Sequence, residues 1–279
     1  MTIPLEAYFD DVQQGLTLNK AASFSKTERE TPFPLIAASE LTAHPVKIFW
    51  LLHNFIEVAS INLLFGEPGA AKSLIALEWA FCIAHGLGWR GLVTKKTDVV
   101  IVAGEGFSGY ARRLKALEIK HGMKSPDNLF VSQRPAQLLD KGSARLVAES
   151  VKAACPNPGL VIIDTMHRNA DIDENSSQDI GKFINNLDEF LKPLGAAVLI
   201  VHHSGHSDKG RSRGSSAIRG ALDAEFSATK NDDFITLTCL KSKDFESYRP
   251  INFKLKVVEL GWFDDDDEPV TSVTSSTYL

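Results

Sequence analysis

INLLFGEPGAAKSLIALEWAFCIA, running from Ile61 to Ala84, puts three kinds of chain in immediate succession. Ile61 to Phe65 reads as a short buried strand, and LIALEWAFCIA, from Leu74, reads as a helix apolar enough to lie inside a core. Between them stands GEPGAAKS: Gly66, Glu67, Pro68, Gly69, Ala70, Ala71, Lys72 and Ser73. A glycine-bearing turn that leaves a strand and enters a helix directs its backbone N–H groups inward, and the helix N-terminus adds the positive end of its dipole. That is a cradle for phosphates; an ordinary strand-to-helix turn that happens to contain Lys-Ser is the plainer alternative. Lys72 then reaches the outer phosphates and the Ser73 hydroxyl ligates Mg²⁺. One position departs from the pattern GxxxxGK[ST]: its last glycine is Ala71. If that position needs a glycine-type backbone angle, the methyl group costs about 1 kcal/mol without removing any charge.

Outward from this loop, short β-branched runs alternate with helical patterns: Asp98 to Ala103, Tyr110 to His121, Leu129 to Ser132, Ser143 to Ala154, Leu160 to Asp164, Gln178 to Leu191, Ala196 to Val201. Such alternation predicts an α/β fold, a mostly parallel sheet flanked by helices. From Ala224 the pattern changes to strands joined by turns, as at Lys230 to Asp233, so antiparallel hairpin strands extend the sheet at its C-terminal end. Residues 1–35, polar and weakly periodic, read as an N-terminal arm. Residues 36–263 read as the core, and the acidic run Asp264 to Glu268 opens a Ser/Thr-rich, solvated tail over 264–279.

With 279 residues, 44% of them hydrophobic, the chain can bury one large core. No apolar run approaches the roughly 20 residues of a membrane helix. The start MTIPLEAYFDD lacks the basic-then-apolar order of a secretory signal, and Cys82, Cys155 and Cys239 are scattered. A cytoplasmic, reducing setting is therefore expected. A net charge of -5 excludes a surface that coats nucleic acid, and leaves only a local basic contact.

LVIID, Leu160 to Asp164, is an apolar strand ending in an acid, as needed to hold Mg²⁺ through its water shell; an aspartate capping the following helix is the plainer alternative. Thr165 follows, so no adjacent glutamate activates water. Glu105, just past the strand Asp98 to Ala103, is the candidate base because a neighbouring strand would deliver it to the same sheet edge; a helix N-terminal charge is the alternative. Two other patterns carry little. GEGFSG, Gly104 to Gly109, fits a dinucleotide fingerprint, but Asp127 precedes the next strand where an acid should follow it. GRSRG, Gly210 to Gly214, has no strand feeding a nucleophile turn.

Together, GEPGAAKS, Glu105 after its strand, LVIID, LIVHHSG and RSRGSSAIRGALD resemble the RepA-type plasmid replicative helicases and their phage and mobile-element relatives, over about Pro45 to Val258. The resemblance implies a RecA-like, DnaB-like P-loop core, ATP and Mg²⁺ as cofactors, a hexameric homo-oligomer and movement along single-stranded DNA. It implies that His202 and His203 sense the γ-phosphate; a strand-end histidine in the core is the alternative, and His202, His203 and His206 lack a cysteine partner for zinc. In the loop Ser204 to Arg213, Lys209, Arg211 and Arg213 lie among glycines and serines, which suits a DNA backbone in a ring pore or a merely solvated loop. With no aromatic beyond His206 there, base stacking is not expected. Arg213, Arg219, Lys241 and Lys243 are candidates to reach a neighbouring subunit's phosphate, KSK resembling the paired lysines of RecA-like proteins; ordinary surface salt-bridge residues are the alternative. A DNA-dependent regulatory or recombination ATPase without unwinding, and a nucleotide-binding subunit with little turnover, are the competing functions.

Overall fold

Branched apolar runs this short cannot bury themselves alone, and in the computed structural model they assemble edge to edge into one nine-stranded sheet. The structure describes residues 35, 37–43, 48–104, 106–155, 157–173, 176–203, 216–243 and 245–276. The chain divides into two units, residues 1–49 and 50–279. The first unit, which extends beyond the arm expected over 1–35, contains the short helix α1, Ala38–Leu41.

The second unit opens with a small antiparallel pair, β1 (Trp50–Leu52) and β2 (Ile56–Glu57). It continues as β3 (Ile61–Gly66), α2 (Lys72–His85), β4 (Asp98–Ala103), α3 (Phe107–His121), β5 (Leu129–Val131), α4 (Lys141–Ala154), β6 (Pro158–Asp164), α5 (Met166–Ala170) and α6 (Ser177–Asn186). A π-helical turn, Leu187–Leu191, ends the last of these. Then come β7 (Ala197–His203), α7 (Ser216–Ala221), β8 (Ala224–Asn231), β9 (Phe234–Ser242), β10 (Ile251–Phe263) and β11 (Pro269–Ser275). The sheet order is β11-β10-β9-β8-β3-β7-β6-β4-β5. From β8 to β5 all neighbours are parallel; β8 to β11 are antiparallel. The expected alternation and the C-terminal hairpin extension are both present.

Every residue of β3 and β6 is buried, as strands covered on both faces require. Each fully buried Val, Leu or Ile side chain contributes about 1.5–3 kcal/mol. Ile61, Leu63, Phe65, Val161, Ile163, Val198 and Ile200 are buried in one core with residues of α4, α6 and their flanks. Among the described residues no helix is long and apolar enough to cross a membrane.

The C-terminal segment corrects the sequence expectation. Residues 264–268 are not the start of a tail but the turn of a hairpin. Asp264 Oδ1 accepts from the Asp266 and Glu268 amides at 3.0 and 2.9 Å, and β11 then pairs with β10 from Thr271 back to Ser275. PVTSVTS carries only two valines among its threonines and serines, and of those polar residues Thr274 and Ser275, at its end, are buried. Ser275, 2% exposed, donates to Glu78 Oε2 at 2.5 Å and accepts from Lys120 Nζ and Arg90 Nη2 at 2.9 and 2.7 Å. Lys120 also pairs directly with the buried Glu78 of α2.

Cutting the chain after Phe263 removes these partners, so it is expected to lower stability by about 2–4 kcal/mol, read as a fall in denaturation midpoint. A dispensable tail would leave that midpoint unchanged.

Candidate functional site

The carboxyl ends of β3, β4, β6 and β7 meet at one edge of the sheet, where chain reversals between strands on either side leave a crevice. Gly66 ends β3 there. A Cβ on it would lie 2.1 Å from the Ala228 carbonyl oxygen, so only glycine lets β8 run beside the loop's origin. Gly69 takes φ +81° and Ala71 takes φ 60°, ψ 22°, the left-handed conformation that favours glycine. The substitution noted in the sequence thus falls where the backbone does ask for a glycine-type angle. α2 starts at once, the Ile75 amide donating to Ala71 O at 2.9 Å.

Lys72, 5% exposed, donates from Nζ to the Glu67 carbonyl at 2.9 Å, curling back over the loop. Burial pushes its ammonium down to about 8, against a smaller opposing pull from the Asp164 carboxylate. Ser73 Oγ donates to Asp164 Oδ1 at 2.9 Å, and the Tyr110 hydroxyl donates to Asp164 Oδ2. The loop and the end of β6, 91 residues apart in sequence, are therefore joined side chain to side chain. Asp164 is 5% exposed, and its peptide bond to Thr165 is cis. A cavity of about 250 Å³ opens beside them, lined by Ser73, Tyr110, Arg112, Arg113, Asp164 and Thr165. One hydroxyl and one carboxylate form an all-oxygen donor pair that suits Mg²⁺, with phosphate and water completing the shell. No cluster of three His, Cys, Asp or Glu among the described residues offers a metal site of another kind.

β4 pairs with β6 so that Ala103 stands opposite Asp164. Glu105, two residues further, lies outside the described residues, but both its neighbours are fixed: the Gly104 amide donates to Asp164 O at 2.6 Å, and Gly106 caps α3. His202 stands opposite Phe65 and His203 opposite Gly66. His202 is fully buried, and His203 emerges beside the root of the phosphate loop. Lys209, Arg211 and Arg213 lie outside the described residues, as does His206.

The remaining basic candidates gather elsewhere. Arg219 pairs with Glu225 at 2.7 Å, and Lys243 pairs with Asp223 at 2.9 Å. Lys241 donates to the Arg219 and Leu222 carbonyls at 2.5 and 2.7 Å, closing the end of α7. Asp223 in turn accepts from the Ile61 amide at 2.8 Å. This cluster therefore sits at the amino end of β3. Six residues of strand, about 17 Å, separate it from the phosphate loop of its own chain.

Sequence reasoning passed over two residues. Tyr110 looked like an ordinary helix position, although its place seven residues past the end of β4 puts it on the first turns of α3, facing the crevice. Asn169, fully buried, donates from Nδ2 to Val102 O and Thr165 O and accepts from the Ala136 amide at Oδ1, holding the ends of β4 and β6 in register. A lone asparagine five residues past a strand carries no signal in sequence.

The sequence profile of the AAA domain family matches residues 27–209, about two thirds of the chain. The chain belongs to that family. Its fold is similar to that of the RadB recombinase, with a TM-score of 0.52 at 14% identity over 71% of this chain and 88% of that one. It is similar to a second solved structure, an ATPase domain, with a TM-score of 0.54 at 14% identity over 70% of this chain and 81% of that one. A KaiC-like protein from the hyperthermophilic archaeon Pyrococcus horikoshii OT3 also matches, with a TM-score of 0.54 at 13% identity over 84% and 100%. No curated protein sequence matches the chain. This is a RecA-like P-loop ATPase, built on a nucleotide-binding core.

Two expectations follow for this ATPase. Ala71→Gly relieves a left-handed alanine and should raise stability by about 0.5–1 kcal/mol in chemical denaturation while keeping or tightening nucleotide binding. Phosphates favour the charged form of Lys72, so binding raises its pKa above 8 and takes up a proton at higher pH. Nucleotide affinity should hold below pH 7 and fall as pH rises through 8, by at most about tenfold per unit. Calorimetry in two buffers of different ionisation enthalpy at pH 8.5 checks that uptake.

Proposed function

We propose that this ATPase hydrolyses ATP as a ring motor on single-stranded DNA, most specifically as a replicative helicase of the RepA type. The observation that carries the catalytic half is the contact of Ser73 with Asp164 at 2.9 Å, one residue from a buried Lys72. Lys72 exchanges the Glu67 carbonyl for the outer phosphates of ATP. Ser73 and Asp164 would hold Mg²⁺, which would neutralise charge on those phosphates. Glu105 takes a proton from the attacking water as its oxygen bonds to the γ-phosphorus and the bond to ADP breaks. His202 and His203, strand neighbours of Phe65 and Gly66, carry the phosphate's state along β7 toward the loop with Lys209, Arg211 and Arg213, which grips the DNA backbone.

Arg219, Lys241 and Lys243 face another copy's phosphates. Their distance from the loop of their own chain supports action in trans, and a heterologous contact repeated around a closed ring, six-fold by resemblance to RepA-type proteins, joins the two surfaces. The helicase assignment rests on the motifs shared with RepA-type proteins. The name of the RadB recombinase favours a second reading, an ATPase that assembles on DNA without unwinding it.

Lys72→Ala should abolish ATP binding, and Glu105→Gln should keep binding while turnover falls by about two to four orders of magnitude. Unchanged ATP affinity in the Lys72 variant would sink the catalytic assignment. Replacing Lys209 and Arg211 with Ala should weaken single-strand binding and flatten its salt dependence. Strand displacement by the intact protein supports a helicase; DNA-stimulated turnover without displacement moves the protein to the recombination or regulatory reading.

A further inference from the structure

We propose that Tyr110 is a positioning residue that holds the Asp164 carboxylate in the orientation Mg²⁺ requires, an inference that rests on the reading of Asp164 as the magnesium carboxylate. A carboxylate on a short side chain rotates about two bonds, and a strand end fixes neither. In this protein both oxygens are engaged: Oδ1 accepts from Ser73, the expected metal hydroxyl, and Oδ2 accepts from Tyr110. The division of labour is geometric. Oδ2 is tied back into protein, and Oδ1 is turned toward the phosphate loop.

Tyr110 is itself held on every side. It is 4% exposed, so its hydroxyl has little water to turn to, and a phenol O–H can act as a donor to a carboxylate. The Arg113 guanidinium stands 5.9 Å from its ring centroid, one helical turn on. α3, which carries it, is anchored at its other end to α2: Lys120 pairs with Glu78, and the His121 ring stacks on Phe81 with centroids 5.3 Å apart. Since α2 begins at Lys72, the helix that presents Tyr110 and the helix that begins at the phosphate loop are braced against each other. Ser73, Tyr110 and Asp164 line the same cavity, so the hydroxyl acts where ligand oxygens would gather. Outer partners of metal-binding groups typically contribute 10–100-fold to metal affinity by fixing orientation.

Tyr110→Phe deletes the hydroxyl and keeps the ring under Arg113. Binding of a fluorescent ATP analogue is measured against Mg²⁺ concentration, and separately in EDTA, for the wild type, Tyr110→Phe and Asp164→Asn. The Mg²⁺ concentration giving half-maximal enhancement of binding should rise about tenfold in Tyr110→Phe, while metal-free affinity stays within about twofold and certifies a folded phosphate loop. If Asp164→Asn shifts the Mg²⁺ dependence and Tyr110→Phe does not, the positioning role is overturned and the reading of Asp164 stands. If Asp164→Asn leaves the Mg²⁺ dependence unchanged, the reading of Asp164 fails, and the role of Tyr110 with it. Loss of metal-free binding in Tyr110→Phe also overturns the proposal, since the ring hydroxyl would then support the loop as a whole.

Discussion

A single buried carboxylate, Asp164, joins three parts of the chain that have no sequence proximity: the end of β6, the phosphate loop through Ser73, and α3 through Tyr110. Placing that charge at 5% exposure is costly unless donors surround it, and the cost is what makes the arrangement specific. If β6 slipped by one residue against β4, Asp164 would move to the other face and its donors would be lost. The register of the sheet and the chemistry of its edge are therefore one constraint. Asn169 enforces the same register from behind, through hydrogen bonds to both strand ends.

A second buried charge does comparable work at a distance. Glu78 lies on α2, 2% exposed, with Lys120 and Ser275 as partners and Arg90 bonded to Ser275. Arg90 is packed over Phe253 of β10 at 4.4 Å and near Trp89 at 5.4 Å from the ring centroids. An antiparallel hairpin at the far edge of the sheet is thereby pinned to the helix that begins at Lys72. Without that network β10 and β11 would be held by their backbone pairing and by buried apolar residues such as Phe253 and Leu260 alone.

Periodicity made the fold legible because the central strands are buried on both faces and their apolar runs are unbroken. β3, β4, β6 and β7 fall within two residues of where Ile61, Asp98, Leu160 and Ala196 suggested. The phosphate loop was legible because its chemistry is local: strand, turn, Lys-Ser and helix lie within one stretch. What stayed hidden depends on groups brought together by the fold. The hairpin of β11 was read as a tail because buried threonine and serine carry no apolar signal, and Glu78, Arg90 and Lys120, which bond to Ser275, lie about 150 to 200 residues away. Tyr110 and Asn169 were hidden for the same reason. Their spacing matches no motif, and only the parallel pairing of β4 with β6 gives them something to hold.

The basic cluster at the amino end of β3 was named in sequence as one set, and the structure divides it. Lys241 caps α7 through two carbonyls, and burial lowers its ammonium pKa, with Lys243 adding repulsion. Drawing it toward another copy's phosphate would uncap a helix. Arg219 serves Glu225, which is 2% exposed, and removing the guanidinium would strip a buried carboxylate of this cation, a change of the kind that costs about 3–5 kcal/mol. Lys243 is different. Its side chain is 43% exposed and its pair with Asp223 is a surface ion pair, worth about 0–1 kcal/mol. Any of the three can be displaced only at the expense of what it now holds, and that expense is smallest for Lys243. Under the proposed function it is the cation that leaves its own chain for a neighbour's phosphates most readily, ahead of Arg219 and Lys241.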